Sequence, residues 1–342
     1  MSNRPTAVVI APGRGTYNAS ELGYLQRFHI DKSSFLDAID AFRRNRKLDS
    51  IRTLDGADRY SLARHGRGSN AAGLIYACAL GDYQDIGEFD VVAITGNSMG
   101  WYLALAAAGA LQVDGTGIEL TETMAGLMDA HGEGGQLVYP LVDEYWHVDP
   151  RHEAAVRQVL ENVPGLSVSI RLGGSVVLAG STDAIRAAER SLPRVDERFP
   201  LRLANHAAFH TSLLESVSRM AFDALPPDRF TRPGIPLIDG RGHLWQPWSD
   251  PAALRDYTLG HQVTRTYDFT RAIEVALKEF APDRLILLGP GTTLGAPVLQ
   301  TLTNLRWLDI DSKERWLERQ AEDPFLLSMG IAAQRTHATR VA

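Results

Sequence analysis

Apolar and polar positions divide this chain into short unbroken apolar runs and longer stretches of helical period. TAVVIA at 6–11 and FDVVAIT at 89–95 have the length and continuity of buried strands. The first is stopped by Pro12 and Gly13 and followed by the loop GRGTYN; the second runs into Gly96. Between them, a polar, arginine-rich stretch over about 33–47 and NAAGLIYACALGDYQDI at 70–86 carry helical periodicity. MGWYLALAAAGAL, from Met99, reads as another helix, so this part of the chain predicts strand, sharp corner and helix. Helical patterns continue to about His131.

The character changes near Gly132. The pattern predicts a strand over 133–142, a helix over 151–163, two strands at LSVSIRL (166–172) and SVVLAG (175–180), and a helix over 182–192 opened by Thr182 and Asp183. With a last strand near 199–204, that order is a split βαβ, ferredoxin-like unit of about 70 residues inserted into a larger α/β body. The expected division is a body of residues 1–131 and 200–342 and a small subdomain of 132–199. Beyond the insert, AFHTSLLESVSRMAF (208–222) and DFTRAIEVALKEF (268–280) predict helices, and GIPLID (234–239) and DRLILLG (283–289) predict strands.

Composition narrows the function. The 342 residues are 44% hydrophobic and 22% charged, enough to bury a substantial core. A net charge of −6 without a clustered Lys/Arg stripe argues against nucleic acid as a partner. No run approaches the roughly 20 apolar residues that span a membrane, and MSNRPTAVVIAPG lacks a cleavable signal pattern, so a cytoplasmic location is expected. The single cysteine, Cys78, excludes a disulfide framework and a cysteine-built metal site.

The chemistry centres on Gly96-Asn97-Ser98-Met99-Gly100. A serine at G-x-S-x-G spacing between a strand end and a helix start is a nucleophile elbow, whose tight turn demands small neighbours. The following helix points free N–H groups and its positive end at the same spot. Ser98 is thereby placed to attack, and the Met99 amide to donate to a developing oxyanion.

GNSMGWYLALAAAGAL resembles the GHSLGEYSALVAAGAL-type segment of malonyl-CoA:acyl carrier protein transacylases and the related acyltransferase domains of polyketide synthases. IAPGRGTYN resembles their FPGQGSQ loop, AAFHTSLLESV the segment of their catalytic histidine, GHQVTRTYDFTRAIE their RQLTSPVRWTESI stretch, and LLGPGTTLGAPV their EIGPGKVLTGL. GGSVVLAGSTDAIRAA resembles a segment of their small subdomain, and the matches run in family order from residue 7 to about 298. The resemblance implies an α/β-hydrolase-like body with an inserted ferredoxin-like subdomain and the active site in the cleft between them. It makes Ser98 the acyl-accepting nucleophile and His210 its general base, with His206 the weaker candidate on spacing. It also makes Gln262 the residue whose main-chain carbonyl supports the histidine, and it places the Arg14 and Met99 backbone N–H groups in the oxyanion hole. The partners it implies are an acyl-CoA and a phosphopantetheinylated acyl carrier protein, in fatty acid or polyketide synthesis, with no metal or redox cofactor.

Three positions depart from that pattern. Asn97 replaces a histidine, and Trp101 replaces Glu or Gln, which is expected to alter the pocket wall. Third, members that use malonyl groups hold the free carboxylate with an arginine of the helix after the elbow. Here Met124 or Ala125 stands at that place in ELTETMAGLMDAH, and no arginine lies between Gly96 and Arg151. Either another cation (Arg14, Arg64, Arg67 or Arg202) serves the acyl group, or that group is uncharged. The reading is therefore acyl transfer through a seryl ester, malonyl or a related short unit. The alternative is a hydrolase of the same fold that clears acyl groups from carrier proteins, and a non-catalytic carrier-docking module would need neither Ser98 nor His210.

Overall fold

The two apolar runs lie side by side in the structure, a computed structural model that describes residues 4–339. Two sheets organise it. The larger contains β1 (Thr6–Ala11), β2 (Asp90–Gly96), β7 (Leu237–Ile238), β8 (Leu244–Trp245), β10 (Arg284–Leu287) and β11 (Leu326–Ser328). The smaller contains β3 (Gly135–Pro140), β4 (Leu166–Leu172), β5 (Ser175–Gly180), β6 (Leu201–Arg202) and β9 (Tyr267–Asp268). The larger runs β11-β10-β1-β2-β7-β8, parallel except for the β7–β8 pair. Residues Ala7 to Ala11 are wholly buried, which explains why β1 reads as a continuous apolar run: helices cover both faces of a parallel sheet. β1 and β2 pair with Ala11 opposite Gly96, so both carboxyl ends open on the same edge. Ligands of open α/β sheets bind outside that edge.

The smaller sheet runs β6-β3-β5-β4-β9 and has its own core of Leu137, Tyr139, Val159, Leu178 and Ile185. The expected order of strands and helices is present, with helices Pro150–Asn162 and Thr182–Ser191 between strands. Two strands are shorter than expected: β3 has six residues within 133–142, and the last strand has two in place of six. β7 is likewise two residues within GIPLID, because Pro236 supplies no ladder donor. The stretch from 208 is not helical at its start: the helix begins at Glu215 after a 3₁₀ turn over Ser212–Leu214, leaving His210 in a loop. β9, on the chain after this unit, joins the smaller sheet in parallel with β4 and ties it to the body. Among the described residues no helix is long and apolar enough to cross a membrane.

A buried ion pair fixes the helices that wall the site. The Arg43 guanidinium, on helix Ser33–Asn45, meets the Glu122 carboxylate of helix Thr116–His131, both side chains wholly inaccessible. Arg43 also donates to Ser69 O at 2.9 Å, Asn70 Oδ1 at 2.9 Å and Asp49 O at 2.6 Å. Burial raises the Glu122 carboxyl to about 7, against the opposing pull of Arg43. Gly73, on helix Gly68–Asp85, leaves room for the pair, since a Cβ there would lie 2.4 Å from Arg43 Nη1 and 2.5 Å from Glu122 Oε1. Arg43→Met should strand a buried carboxylate and lower stability by about 3–5 kcal/mol, read as a clear fall in the midpoint of thermal unfolding; an unchanged midpoint would show the pair to be dispensable.

Candidate active site

Ser98 sits at the turn between β2 and the helix Gly100–Ala107 with φ of 55°, a left-handed conformation unusual for a non-glycine residue. Such strain persists only where surroundings over-determine it, and here they do. Asn97 N–H donates to Ala11 O at 3.1 Å, Gly100 N–H to Asn97 O at 2.8 Å, and Trp101 N–H to Ser98 O at 3.0 Å. A Cβ on Gly100 would lie 2.4 Å from Ala11 O, and one on Gly96 2.3 Å from Gly100 O. The two glycines are thus required by close backbone approach, as the elbow spacing predicts.

Ser98 Oγ lies 2.7 Å from His210 Nε2, and His210 Nδ1 lies 2.5 Å from the main-chain oxygen of Gln262. A carbonyl oxygen only accepts, so Nδ1 carries the proton and Nε2 is the free acceptor for the serine hydroxyl. The arrangement can supply a nucleophile, a base and an orienting group, with a carbonyl in the orienting role. That carbonyl is available because Gln262 lies in the last turn of a helix ending at Thr264, where carbonyls lack intrahelical partners. A π turn over Tyr257–His261 precedes it. The Gln262 side chain closes the loop, donating from Nε2 to Ser98 O at 3.1 Å and accepting from Tyr102 Oη at 3.0 Å.

Burial pushes the His210 imidazole down to about 4, against the opposing effect of the Gln262 carbonyl. It is therefore neutral, and able to accept a proton, throughout the ordinary pH range. Its own backbone has φ of 60°. Thr211 Oγ1 donating to Ala208 O at 2.7 Å and Ser169 Oγ donating to Phe209 O at 2.8 Å hold that loop. Tyr267 stacks at a tilt on the His210 ring, centroids 5.4 Å apart, and its hydroxyl donates to Gly96 O at 2.5 Å, linking base and elbow.

These groups open into a cavity of about 1160 Å³. Arg14, Asn97, Ser98, Met99, His206, His210, Gln262, Met124 and Ala125 all line it. Trp101, expected in the pocket wall, does not. It is fully buried in the core, its indole Nε1 donating to Thr258 Oγ1 at 2.9 Å and its ring edge-on to Tyr257. Arg64, Arg67 and Arg202 also lie outside the lining; Arg64 pairs with Asp49 at 2.9 Å and Arg67 faces Asp129 at 3.7 Å. His206 lines the cavity with its Nδ1 held 2.8 Å from Ala204 O. Among the described residues the backbone N–H groups of Arg14 and Met99 make no hydrogen bond within the protein. Tyr102 and Tyr267 were not singled out from sequence. Tyr102 stands one helical turn after Ser98, a usable signal; Tyr267 carries none, since only tertiary folding brings β9 to the elbow.

The one group of possible metal-binding side chains among the described residues is His29, Asp82 and Asp85. Arg335 reaches Asp82 at 2.5 Å and Asp85 at 2.8 Å, and Lys32 reaches Asp85 at 2.5 Å, so three protein cationic contacts already compensate those carboxylates.

By sequence, no protein-family model and no curated protein matches the chain. In three dimensions it has the fold of malonyl-CoA:acyl carrier protein transacylases, a mixed α/β fold with two sheets. The malonyl-CoA:ACP transacylase of Synechocystis is 17% identical, with a TM-score of 0.74 over 97% of this chain and 99% of that one. The transacylase of Xanthomonas oryzae is 18% identical, with a TM-score of 0.75 over 99% and 98%. A malonyl-transacylase solved in complex with a type II PKS acyl-carrier protein is 17% identical, with a TM-score of 0.72 over 98% and 99%.

The depressed His210 gives a pH prediction. A base is lost as pH falls through its own pKa, so acylation of Ser98 should hold level from about pH 8 to about pH 5 and fail only as the pH nears about 4. A midpoint near 6.5, the ordinary histidine value, measured from the pH dependence of single-turnover acylation, would contradict the buried geometry.

Proposed function

We propose that the protein is an acyltransferase that moves a short acyl unit from coenzyme A to the phosphopantetheine thiol of an acyl carrier protein through an ester on Ser98. The observation that carries this reading is the 2.7 Å contact between Ser98 Oγ and His210 Nε2, set in a cavity of a fold that malonyl-CoA:acyl carrier protein transacylases share. In the first half-reaction Ser98 Oγ attacks the thioester carbonyl carbon while His210 Nε2 takes the hydroxyl proton. The C–S bond breaks, and coenzyme A leaves as the thiol with that proton. In the second, the carrier thiol passes its proton to His210 and attacks the seryl ester; the C–O bond breaks and Ser98 recovers its hydrogen. The unengaged N–H groups of Met99 and Arg14 are the donors for the oxyanion in both halves. Malonyl is the unit named for the compared structures, so fatty acid or polyketide synthesis in the cytoplasm is the setting.

The architecture suits a cleft mechanism. We read residues 1–131 and 200–342 as an α/β-hydrolase-like body and 132–199 as a ferredoxin-like insert, on the strand order β6-β3-β5-β4 and its separate core. Hydrolysis, with water replacing the carrier thiol, is the second reading. It is favoured by the uncharged wall at Met124 and Ala125.

Incubation with acyl-CoA thioesters and mass spectrometry tests the proposal. Ser98 should gain the acyl mass, and Ser98→Ala should not. His210→Ala should slow acylation by roughly 10²–10⁴-fold, and His206→Ala far less, since His206 bonds to Ala204 O and not to the serine. Adding holo carrier protein should discharge the adduct onto its thiol; loss to water at the same rate with or without carrier would assign the hydrolase instead. An adduct that persists in Ser98→Ala would sink both.

A further inference from the structure

The side chain of Arg14 is a cation that the transfer chemistry leaves unused. It lines the cavity with Ser98, yet is only 12% exposed. Among the described residues its one side-chain hydrogen bond runs from Nη2 to Gly66 O at 3.3 Å, although a guanidinium carries five N–H donors. The nearest carboxylate oxygen, Asp129 Oδ1, is 3.9 Å away, too far for a hydrogen bond. That carboxylate is already engaged: Oδ1 accepts from Gly68 N–H at 3.0 Å and Oδ2 from Ser69 N–H at 2.9 Å, while Arg67 Nε stands 3.7 Å from Oδ2. Burial lowers the Arg14 guanidinium from its ordinary value, and Asp129 only partly offsets this. Arg14 is thus incompletely compensated.

Among the described residues no carboxylate other than Asp129 reaches Arg14. The Phe209 ring lies 5.7 Å from the guanidinium carbon, and His206, pushed down to about 4 by burial and by Arg14 itself, is neutral near pH 7. The other cations of the cavity are engaged or exposed. Arg151 is forked onto Asp149, Lys313 donates to Glu144 O at 2.9 Å, and Arg198 is exposed against Phe199. The wall made by Thr121, Met124, Ala125 and Met128 carries no charge.

We propose that Arg14 binds the free carboxylate of a dicarboxylic acyl group presented as its monothioester, holding it from the oxyanion loop rather than from the helix Thr116–His131. A guanidinium matches a carboxylate two N–H groups to two oxygens, and the same residue then serves the reaction at both ends, by its backbone at the carbonyl and by its side chain at the far carboxylate. The proposal rests on the acyl-transfer reading and specifies its substrate class.

The test measures kcat/KM for acylation of Ser98 by malonyl-CoA and by acetyl-CoA in the wild type, Arg14→Gln and Arg14→Lys. The wild type should favour malonyl by about tenfold or more, each tenfold being about 1.4 kcal/mol. The ratio should collapse toward one in Arg14→Gln and survive in part in Arg14→Lys, which keeps the charge without the fork. Because each ratio compares two acyl groups on one protein, a general loss from a disturbed loop cancels. A wild-type ratio near one, or a preference that Arg14→Gln leaves intact, overturns the proposal while acylation of Ser98 keeps the transfer reading. Absence of any adduct from either thioester removes both.

Discussion

The rest of the site depends on one close approach of backbones, where the end of β2 turns over the end of β1. Gly100 lies against Ala11 O and Gly96 against Gly100 O so tightly that neither position has space for a Cβ. That crossing forces Ser98 into the left-handed region and lifts its hydroxyl off the sheet edge. It also places the proposed oxyanion loop, because Ala11 leads directly into Pro12, Gly13 and Arg14. The placement of Ser98 and that of the proposed oxyanion donors therefore follow from one steric constraint. The strain is of the order of 1–3 kcal/mol for such a residue, small beside the sheet and helix packing that imposes it.

The base is held differently. Among the described residues no carboxylate touches His210; a main-chain carbonyl freed by the end of a helix orients it. A carbonyl fixes the tautomer as a carboxylate would, but it adds no full negative charge to stabilise an imidazolium. Combined with burial, this keeps the resting histidine neutral and weakly basic, which suits proton transfer from a serine that is deprotonated only as it attacks. Tyr102 and Tyr267 complete the frame by tying the Gln262 side chain and the Gly96 carbonyl to the same cluster. Since Tyr267 belongs to β9, which pairs with β4, the smaller sheet is mechanically joined to the elbow. The loop that follows β6 delivers His210 from that side of the cleft.

The helix Thr116–His131 has two duties along its length. Glu122 faces the interior and meets Arg43, while Met124 and Ala125 face the cavity. The ion pair is expensive to bury; further hydrogen bonds to Asp49, Ser69 and Asn70 serve its arginine, while Glu122 Oε2 has no hydrogen-bond partner among the described residues. Such a pair contributes specificity of placement more than net stability. Here it anchors the helix Thr116–His131, whose Met124 and Ala125 line the cavity. At the far end of the helix, Asp129 caps the helix Gly68–Asp85 and stands opposite Arg14, so the acyl wall and the oxyanion loop share a polar contact.

By itself the sequence determined what local patterning controls. β1, β4 and β5 have the bounds their apolar runs predict, because a strand buried on both faces, or closed by a tight turn, has few other ways to satisfy its backbone. The elbow was legible from two glycines about a serine, since their spacing is a steric requirement of the turn. Ser98, His210 and Gln262 could be named from motifs, but their meeting could not: they lie 112 and 52 residues apart in pairs, and only the packed structure brings them within hydrogen-bond distance. Tertiary structure alone removed Trp101 from the pocket wall, because which side of an apolar helix is core depends on what packs against it. It also left His210 in a left-handed loop where periodicity predicts helix. It further showed how far the charge of Arg14, already a candidate from sequence, is compensated, since that depends on neighbours in space, and those neighbours, Gly66 and Asp129, come from far along the chain.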